Sequence, residues 1–370
     1  MKKLISIIMI LATLLGLTSC NKYKPVPSTE EEARVVMTLN LDGEEYEVKY
    51  ELYRAMFLAY KPFVDGGDSS VWSGANSTEY VAKIQTMIIS RITDIYAALH
   101  HAKKLGIDLY SKDVKNQIKD YVKVSVEGGV YNGEAIIGYG DYDSYLKSLA
   151  SMGMNYSVSE LLYRYNIAID LIREHYAGTL NDFGTAYEGG VLQYTREDIE
   201  AFYFGDDSVR YMSAFIQSEY PDAASRAAIV RISMQAHAGD DDKVAATIIG
   251  NTISSATDVT HGTLIGRYNL DEENYGDITK AAFSTPTGSV SEVIEVYTGA
   301  AAGFYVLYPI AKTAEHLDEN YAEIALTYVE NEMGRQLESV QAALTESIGV
   351  TDVFNSIDHA NIPYPTVNKK

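Results

Sequence analysis

Hydrophobic and polar positions along this chain follow two rhythms in turn. Alternation comes first. Val35–Leu41 and Tyr46–Tyr50 flank Asp42-Gly43, which predicts a β-hairpin closed by a two-residue turn. Helical spacing follows over about Tyr50–Val64, Thr78–Leu105, Ser111–Val126, Tyr142–Met152 and Val158–Thr179. In the second helix Val81, Ile84, Ile88, Ile92, Ile95, Leu99 and Ala102 form one apolar stripe, with Ser77 or Thr78 placed to cap it and Gly106 to close it. Val114, Ile118 and Val122 mark the inner face of the third. Leu161, Leu162, Tyr165, Ile169 and Ile172 mark that of the fifth. Two Gly-rich stretches, Asp65–Asn76 with the lone Trp72 and Gly128–Gly140, read as loops.

The rhythm changes after Thr195. A short helix opens at Thr195-Arg-Glu-Asp198 and ends at Phe204, and Val209–Ser218 alternates as a strand. Helices are predicted over Ala223–Met234 and Asp240–Ile253, the latter with Asp240-Asp241-Asp242 at its positive end. Ile278–Phe283 is a helical turn, and Val290–Tyr297 and Gly303–Pro309 are strands joined through Thr298–Ala302. The order βααβαββ describes a small four-stranded mixed domain. Last, His316–Ile348 reads as one long amphipathic helix (Ile324, Leu326, Val329, Met333, Leu337, Val340, Leu344), too long for so small a sheet and expected to pack on the helical part. The fold class is therefore α+β. A mainly helical lobe spans 35–205, a four-stranded α+β domain is inserted at 206–314, the C-terminal helix covers 315–350 and a tail 351–370.

The N-terminus, MKKLISIIMILATLLGLTSC, has a different character. Two lysines precede an apolar run of about 14 residues, the length of a signal-peptide core and short for a membrane span. The run ends in Leu17-Thr18-Ser19-Cys20, which resembles the bacterial lipobox. Residues 1–20 are expected to be a signal peptide ending at a cysteine that takes lipid, placing the protein on the extracytoplasmic face of a membrane. Residues 21–34, polar and with Pro25 and Pro27, read as a tether. Cys20 is the only cysteine, so no disulfide forms within the chain. The net charge of −21 argues against nucleic acid and against electrostatic adhesion to anionic lipid. The 30 tyrosines suit half-exposed surfaces and helix seams.

Several segments, in order, resemble the parvulin-type extracytoplasmic foldases, a family that includes the lipoprotein foldase PrsA and the periplasmic chaperone SurA. They are AKKLGIDLYSKDVKNQI, YTREDIEAFYFGDDSVRYMSAFIQ, HGTLIGRYN and ITKAAFSTPTGSVSEVIEVYTGAAAGFYVLYPI. The resemblance covers most of residues 35–345 and implies a SurA-like helical chaperone lobe, an inserted isomerase-like domain, and unfolded or nascent exported polypeptides as partners. It also implies two histidines beneath the substrate, one on the first strand and one on the last. Ser213 and Tyr305 stand there instead. Ser255 falls where a Cys or Asp would precede the Gly-rich loop, and Asn274 and Ile278 fall near the Met and Phe of the proline pocket. His237 and His261 are the only histidines of that domain, and neither lies on these strands. The expectation is a domain that is structural or binds peptide, with weak or no isomerase activity. The alternatives are an active peptidyl-prolyl isomerase with a diverged site, and a scaffold or solute-binding lipoprotein.

Other chemistries find little support. The seven histidines, His100, His101, His175, His237, His261, His316 and His359, form no metal-ligand spacing with Cys or carboxylates, so neither metal nor cofactor is expected. The His100-His101 pair is read as a cation favoured at a helix end. No Gly-x-Ser-x-Gly and no P-loop occurs. In the helical lobe Tyr50, Tyr53, Tyr60, Tyr96, Tyr121, Tyr142, Tyr145, Tyr163 and Tyr165, with Met56, Met87, Met152 and Met154, are candidates for a shallow client groove. Any one of them is more simply a core or seam residue.

Overall fold

The computed structural model describes residues 23–131, 133–180, 187–218, 222–251, 262–268, 272–296 and 303–367, without the side chains of Glu134, Leu180 and residues 272–275. Cys20, Ser255, His261 and the turn Thr298–Ala302 lie outside the described residues. The fold is α+β and has two compact units: the chain up to Ile169 together with Gln341 onward, and Asp170–Val340. The division falls at 169/170, not at the change of composition near residue 205.

The first unit opens with the expected hairpin, β1 (Val35–Leu41) and β2 (Glu44–Lys49). Asp42 and Gly43 hold φ of 54° and 79°, the left-handed pair that a two-residue turn needs to match strand twist. α1 (Tyr50–Asp65) buries Tyr53 and Phe57, and Trp72 packs on Phe57 while its indole N–H donates to Asp65 Oδ2 at 2.7 Å. α2 (Ser77–Lys104) turns Ile84, Ile88, Ile92 and Ile95 fully inward. Its N-cap is Asn76, with no capping side chain, and Gly106 leaves it at φ 78°. Ser111 accepts from Val114 N–H to start α3 (Lys112–Glu127).

Gly128–Gly140 is not a plain loop. It contains a small hairpin, β3 (Gly129–Tyr131) and β4 (Glu134–Ile136). α4 (Tyr142–Ser151) follows, capped by Asp141, then α5 (Tyr156–Ala177), within which the first unit ends.

The described residues nearest both ends, from Tyr23 and up to residue 367, dock on this unit. Tyr23 OH donates to Glu127 Oε1 at 2.6 Å, its ring lies 5.4 Å from that of Tyr142, and Tyr142 OH donates to Lys24 carbonyl at 2.6 Å. Behind Glu127 and Tyr142 sits a cluster of Val122, Val126, Tyr145, Leu149 and Tyr156, against which Tyr23 and Val26 pack. Further on, Arg54 and Glu32, 4% and 7% exposed, meet at 2.5 Å.

The second unit begins inside α5 and adds a two-stranded ribbon, β5 (Gly178–Leu180) and β6 (Tyr187–Gly189). α6 (Arg196–Phe204) starts in a capping box between Thr195 and Asp198, as its sequence predicts. β7 (Ser208–Gln217), α7 (Ala223–Gln235), α8 (Asp241–Asn251), β8 (Thr263–Gly266), α9 (Glu272–Ser284), β9 (Ile294–Val296) and β10 (Gly303–Pro309) then follow the order read from the sequence. The four strands form one antiparallel sheet in the order β8-β7-β10-β9. α7 and α8 cover one face through Ala227, Val230, Met234, Val244 and Ile248. Asp240 does cap α8, accepting from Lys243 N–H, while Asp241 accepts from Tyr308 OH.

The expected single helix at 316–348 is two. α10 (Ala314–Glu319), capped by Thr313, ends at Asn320, and α11 (Tyr321–Glu346) restarts there. His316 is buried, its ring stacked on Tyr203 and its Nδ1 3.1 Å from Tyr203 OH. On α11, Asn331 Oδ1 accepts from Tyr268 N–H, and Gly334 lies so close to Tyr268 that a Cβ would sit 2.7 Å from its carbonyl oxygen. Most of α11 therefore belongs with the sheet unit. From Gln341 the chain rejoins the first unit, where Gln341 donates to Ser90 carbonyl and β11 (Gly349–Val350) pairs with Met37 and Thr38. α12 (Asp352–Asn355) buries Phe354, and His359 Nε2 lies 2.8 Å from Tyr53 OH.

The Arg54–Glu32 pair carries the docked N-terminal segment. Burial opposes the charged carboxylate, but the Thr29 backbone N–H and the Arg54 guanidinium outweigh it and hold the Glu32 pKa below its ordinary 4.5. A lowered pKa contributes stability that is present above that value and is lost as pH falls through the folded value. Arg54→Ala strands a buried carboxylate and is expected to cost about 3 kcal/mol at neutral pH, with a smaller loss in acid. Urea denaturation at both pH values checks this. A loss under about 1 kcal/mol at neutral pH would mean the pair behaves as a surface bridge.

Candidate functional site

The sheet of the second unit brings its first and last strands together at the centre. β10 runs antiparallel to β7 along its whole length, with Tyr305 opposite Phe215 and Leu307 opposite Ser213. Side chains alternate across a strand. Met212, Ala214 and Ile216 of β7, with Val306 and Tyr308 of β10, therefore point toward α7 and α8. Tyr211, Ser213, Phe215, Tyr305 and Leu307 share the opposite face. Ser213 and Tyr305 are diagonal neighbours there, which is the juxtaposition that two site residues on first and last strands require.

This face is aromatic. The Phe215 and Tyr305 rings stack at 4.6 Å with 28° between their planes. Both are half-buried, as is Ser213. Gly303 makes the close approach possible, because a Cβ there would lie 2.5 Å from Ile216 carbonyl oxygen and 2.6 Å from the Phe215 ring. One end of the face is closed by a cluster of Tyr211, Ile265, Ile278, Ala282, Val296 and Leu307. Ile278 is 1% exposed and serves as core beneath the site, not as a pocket wall. Asn274 lies on the backbone of α9, and its side chain is not among those described. Ser291 fixes the preceding loop: its hydroxyl accepts from Leu307 N–H at 2.9 Å and its own N–H donates to Leu307 carbonyl at 2.9 Å. His237 is exposed beyond the end of α7.

The first unit holds a second candidate surface. Tyr50, Tyr53, Tyr60, Tyr145, Tyr165 and Met56 are core residues. Tyr96 is half-buried and bonded to Glu47 carbonyl. Tyr121 and Tyr163 remain half-exposed, with ring centroids 3.5 Å apart, and Tyr131 of β3 stands edge-on to Tyr121 at 5.5 Å. Tyr121 and Tyr163 border a shallow crevice that reaches Ile118, Tyr156 and Ser159. Burial pushes the Tyr156 phenol up to about 12, so it stays neutral at working pH. A second, open groove is lined by Val26, Pro27, Leu146, Met154, Tyr156 and Pro365, with Glu32 as the charged side chain in its lining. The sequence marked Met154 but not the chain ends, whose part in the groove depends on contacts more than a hundred residues apart. Met152 is exposed and Met87 half-buried.

His100 and His101 lie near the C-terminal end of α2. Both are buried, and His100 sits between Tyr46 OH at 2.8 Å and Asp42 Oδ2 at 3.3 Å. Among the described residues no three His, Cys, Asp or Glu side chains gather to hold a metal, and no helix is long and apolar enough to cross a membrane.

No family model matches the chain, and no curated protein matches it. Among solved structures, the foldase protein PrsA from Streptococcus pneumoniae str. Canada MDR_19A is similar at 15% identity, covering 83% of this chain and 92% of that one with a TM-score of 0.31. The foldase protein PrsA from Lactococcus lactis is similar at 13% identity, covering 89% and 99% with a TM-score of 0.26. PrsA from Bacillus subtilis is similar at 14% identity, covering 85% and 92% with a TM-score of 0.23. Likeness at this level assigns neither site nor activity. The chemistry of the site rests on this chain's own residues.

Those residues set a clear expectation. A histidine at position 213 would face Leu307, and one at 305 would face Phe215, so each gains no polar partner directly opposite and has only the hydroxyl of the other position on the diagonal. Ser213→His or Tyr305→His alone is expected to leave the rate of Xaa-Pro exchange in a short peptide unchanged, read by NMR exchange spectroscopy. A gain of about tenfold from either would show a site one residue short of complete.

Proposed function

We propose that this chain is a lipid-anchored, extracytoplasmic chaperone of foldase type. It holds unfolded exported polypeptides near the membrane, and its sheet unit binds peptide with little or no isomerase turnover. One observation carries the reading. The first and last strands of the sheet lie side by side and present Ser213, Phe215 and Tyr305 on one half-buried face. This is where the foldase resemblance puts a substrate-binding floor, and the floor here is aromatic and without histidine.

Rotating an Xaa-Pro bond requires no nucleophile. It requires a site that favours the twisted amide over the planar one and lowers a barrier of about 18–20 kcal/mol. A stacked Phe–Tyr pair offers apolar area and one hydroxyl, which suits holding an extended apolar segment. It lacks the oriented polar partners that would favour one amide geometry. The open groove of the first unit, lined by Val26, Leu146 and Met154, offers further apolar surface of the adaptable kind that promiscuous binders use. Membrane attachment rests on the Leu17-Thr18-Ser19-Cys20 sequence. An active isomerase with a diverged site is the competing reading.

The test is light scattering from an unfolded client diluted into buffer with the lipidated protein in detergent. Equimolar protein is expected to suppress aggregation. Phe215→Ser, with its melting temperature checked, is expected to require about threefold more protein, in proportion to the apolar area removed. No suppression by the unaltered protein at large excess would overturn the chaperone reading.

A further inference from the structure

The docking of the N-terminal segment fixes more than a fold boundary. Tyr23 is held by Glu127, Tyr142 and the cluster behind them. Cys20 precedes it by three residues, and three residues of fully extended chain reach about 10 Å. A headgroup layer is roughly 5–7 Å deep. If Cys20 carries lipid, the surface around Tyr23 therefore lies at the bilayer, with no room for a spacer.

That surface is apolar where it is exposed. The backbone after Glu127 runs against Gly138, where a Cβ would fall 2.1 Å from Gly128 N. Ile137 and Tyr139 flank Gly138, and Val130 stands on the facing strand of the same small hairpin. Ile137 is 95% exposed, Val130 68% and Tyr139 47%. Tyr139 contacts Tyr145, which stacks on Tyr142, which meets Tyr23, so the segment that carries Ile137 and Tyr139 is joined through the buried Tyr145 to the place where the chain end docks. Tyrosines with apolar residues beyond them are the composition of a membrane-interface contact.

We propose that the β3–β4 hairpin and the segment just after it, through Val130, Ile137 and Tyr139, are a bilayer-docking surface that seats the first unit on the lipid from which it is anchored. The proposal rests on lipid attachment at Cys20, part of the function proposed above. The hold is apolar. The chain carries a net charge of −21, and the two cations that flank Tyr23, Lys22 and Lys24, are offset by Asp141 and Asp143 next to Tyr139, so anionic headgroups add no net attraction. Docking is then as strong on zwitterionic lipid as on anionic lipid and is insensitive to salt.

Cys20 is the sole cysteine, so once it is acylated an introduced cysteine is the only free thiol. Ile137→Cys and, as a control in the same unit, Val350→Cys are labelled with an environment-sensitive fluorophore in the full lipidated protein. Each is reconstituted into phosphatidylcholine vesicles containing brominated lipid. The label at 137 is expected to shift to the blue and to be quenched about threefold or more at low and high salt alike, while the label at 350 stays in water. An acylated Cys20 with equal, weak quenching at both positions overturns the docking surface alone. A free thiol at Cys20, seen by mass spectrometry, overturns the anchor and the docking together. A label at 137 that leaves water only when an unfolded client is added, or as protein concentration rises without vesicles, assigns the patch to client or to a second copy and overturns the lipid reading.

Discussion

The candidate site depends on the pairing of β7 with β10. Seven consecutive opposed residue pairs fix which residues of the two strands share a face. A slip of β10 by one residue against β7 would turn Tyr305 toward α7 and α8 and bring Val306 into the site, because the side-chain period is two. Two features hold the register. Met212, Ala214, Ile216, Val306 and Tyr308 are buried against the paired helices, so the other face has no freedom to exchange with this one. Gly303 lets the last strand close on Phe215 at a point where any side chain would collide. Both the aromatic floor and the position of Ser213 follow from that register.

The first unit is held by a different means. Its helices supply the core, but the two chain ends complete it. The N-terminal segment is fixed by tyrosine hydrogen bonds and by the buried Arg54–Glu32 pair. The C-terminal segment adds a third strand to the opening hairpin and a ring contact between Phe354 and Tyr53. The groove bounded by Val26, Pro27 and Pro365 exists because both ends return to the same helices. The apolar groove and the docked segment that follows the proposed lipid-attachment residue thereby belong to one unit, while the strand-pair site belongs to the other.

Elements with a sustained period were legible in the sequence. The hairpin at Asp42-Gly43, the stripe of isoleucines in α2, the capping box at Thr195 and the βααβαββ order all follow from local spacing, and the structure places them within a few residues of expectation. The β3–β4 hairpin was hidden because three-residue strands carry no alternation to detect. The docked segment from Tyr23 was hidden because Pro25, Pro27 and a polar composition look like a linker, while the partners of Tyr23 lie more than a hundred residues away. The break at Asn320 had a local sign, Thr313 placed to cap a short helix, but the apolar stripe of α11 masked it. At the site, the positions of Ser213 and Tyr305 could be read from motif order. The stack of Tyr305 on Phe215 could not, because it depends on cross-strand register.

The central claim is that this strand pair binds peptide without catalysing rotation about Xaa-Pro bonds. The most direct measurement is cis/trans exchange of a short Xaa-Pro peptide by NMR, with the unaltered protein at high concentration. The account expects line broadening or shift changes that report peptide binding, with an exchange rate equal to that of the free peptide. A clear acceleration of exchange would contradict it and would mean that Ser213, Phe215 and Tyr305 form a working isomerase site.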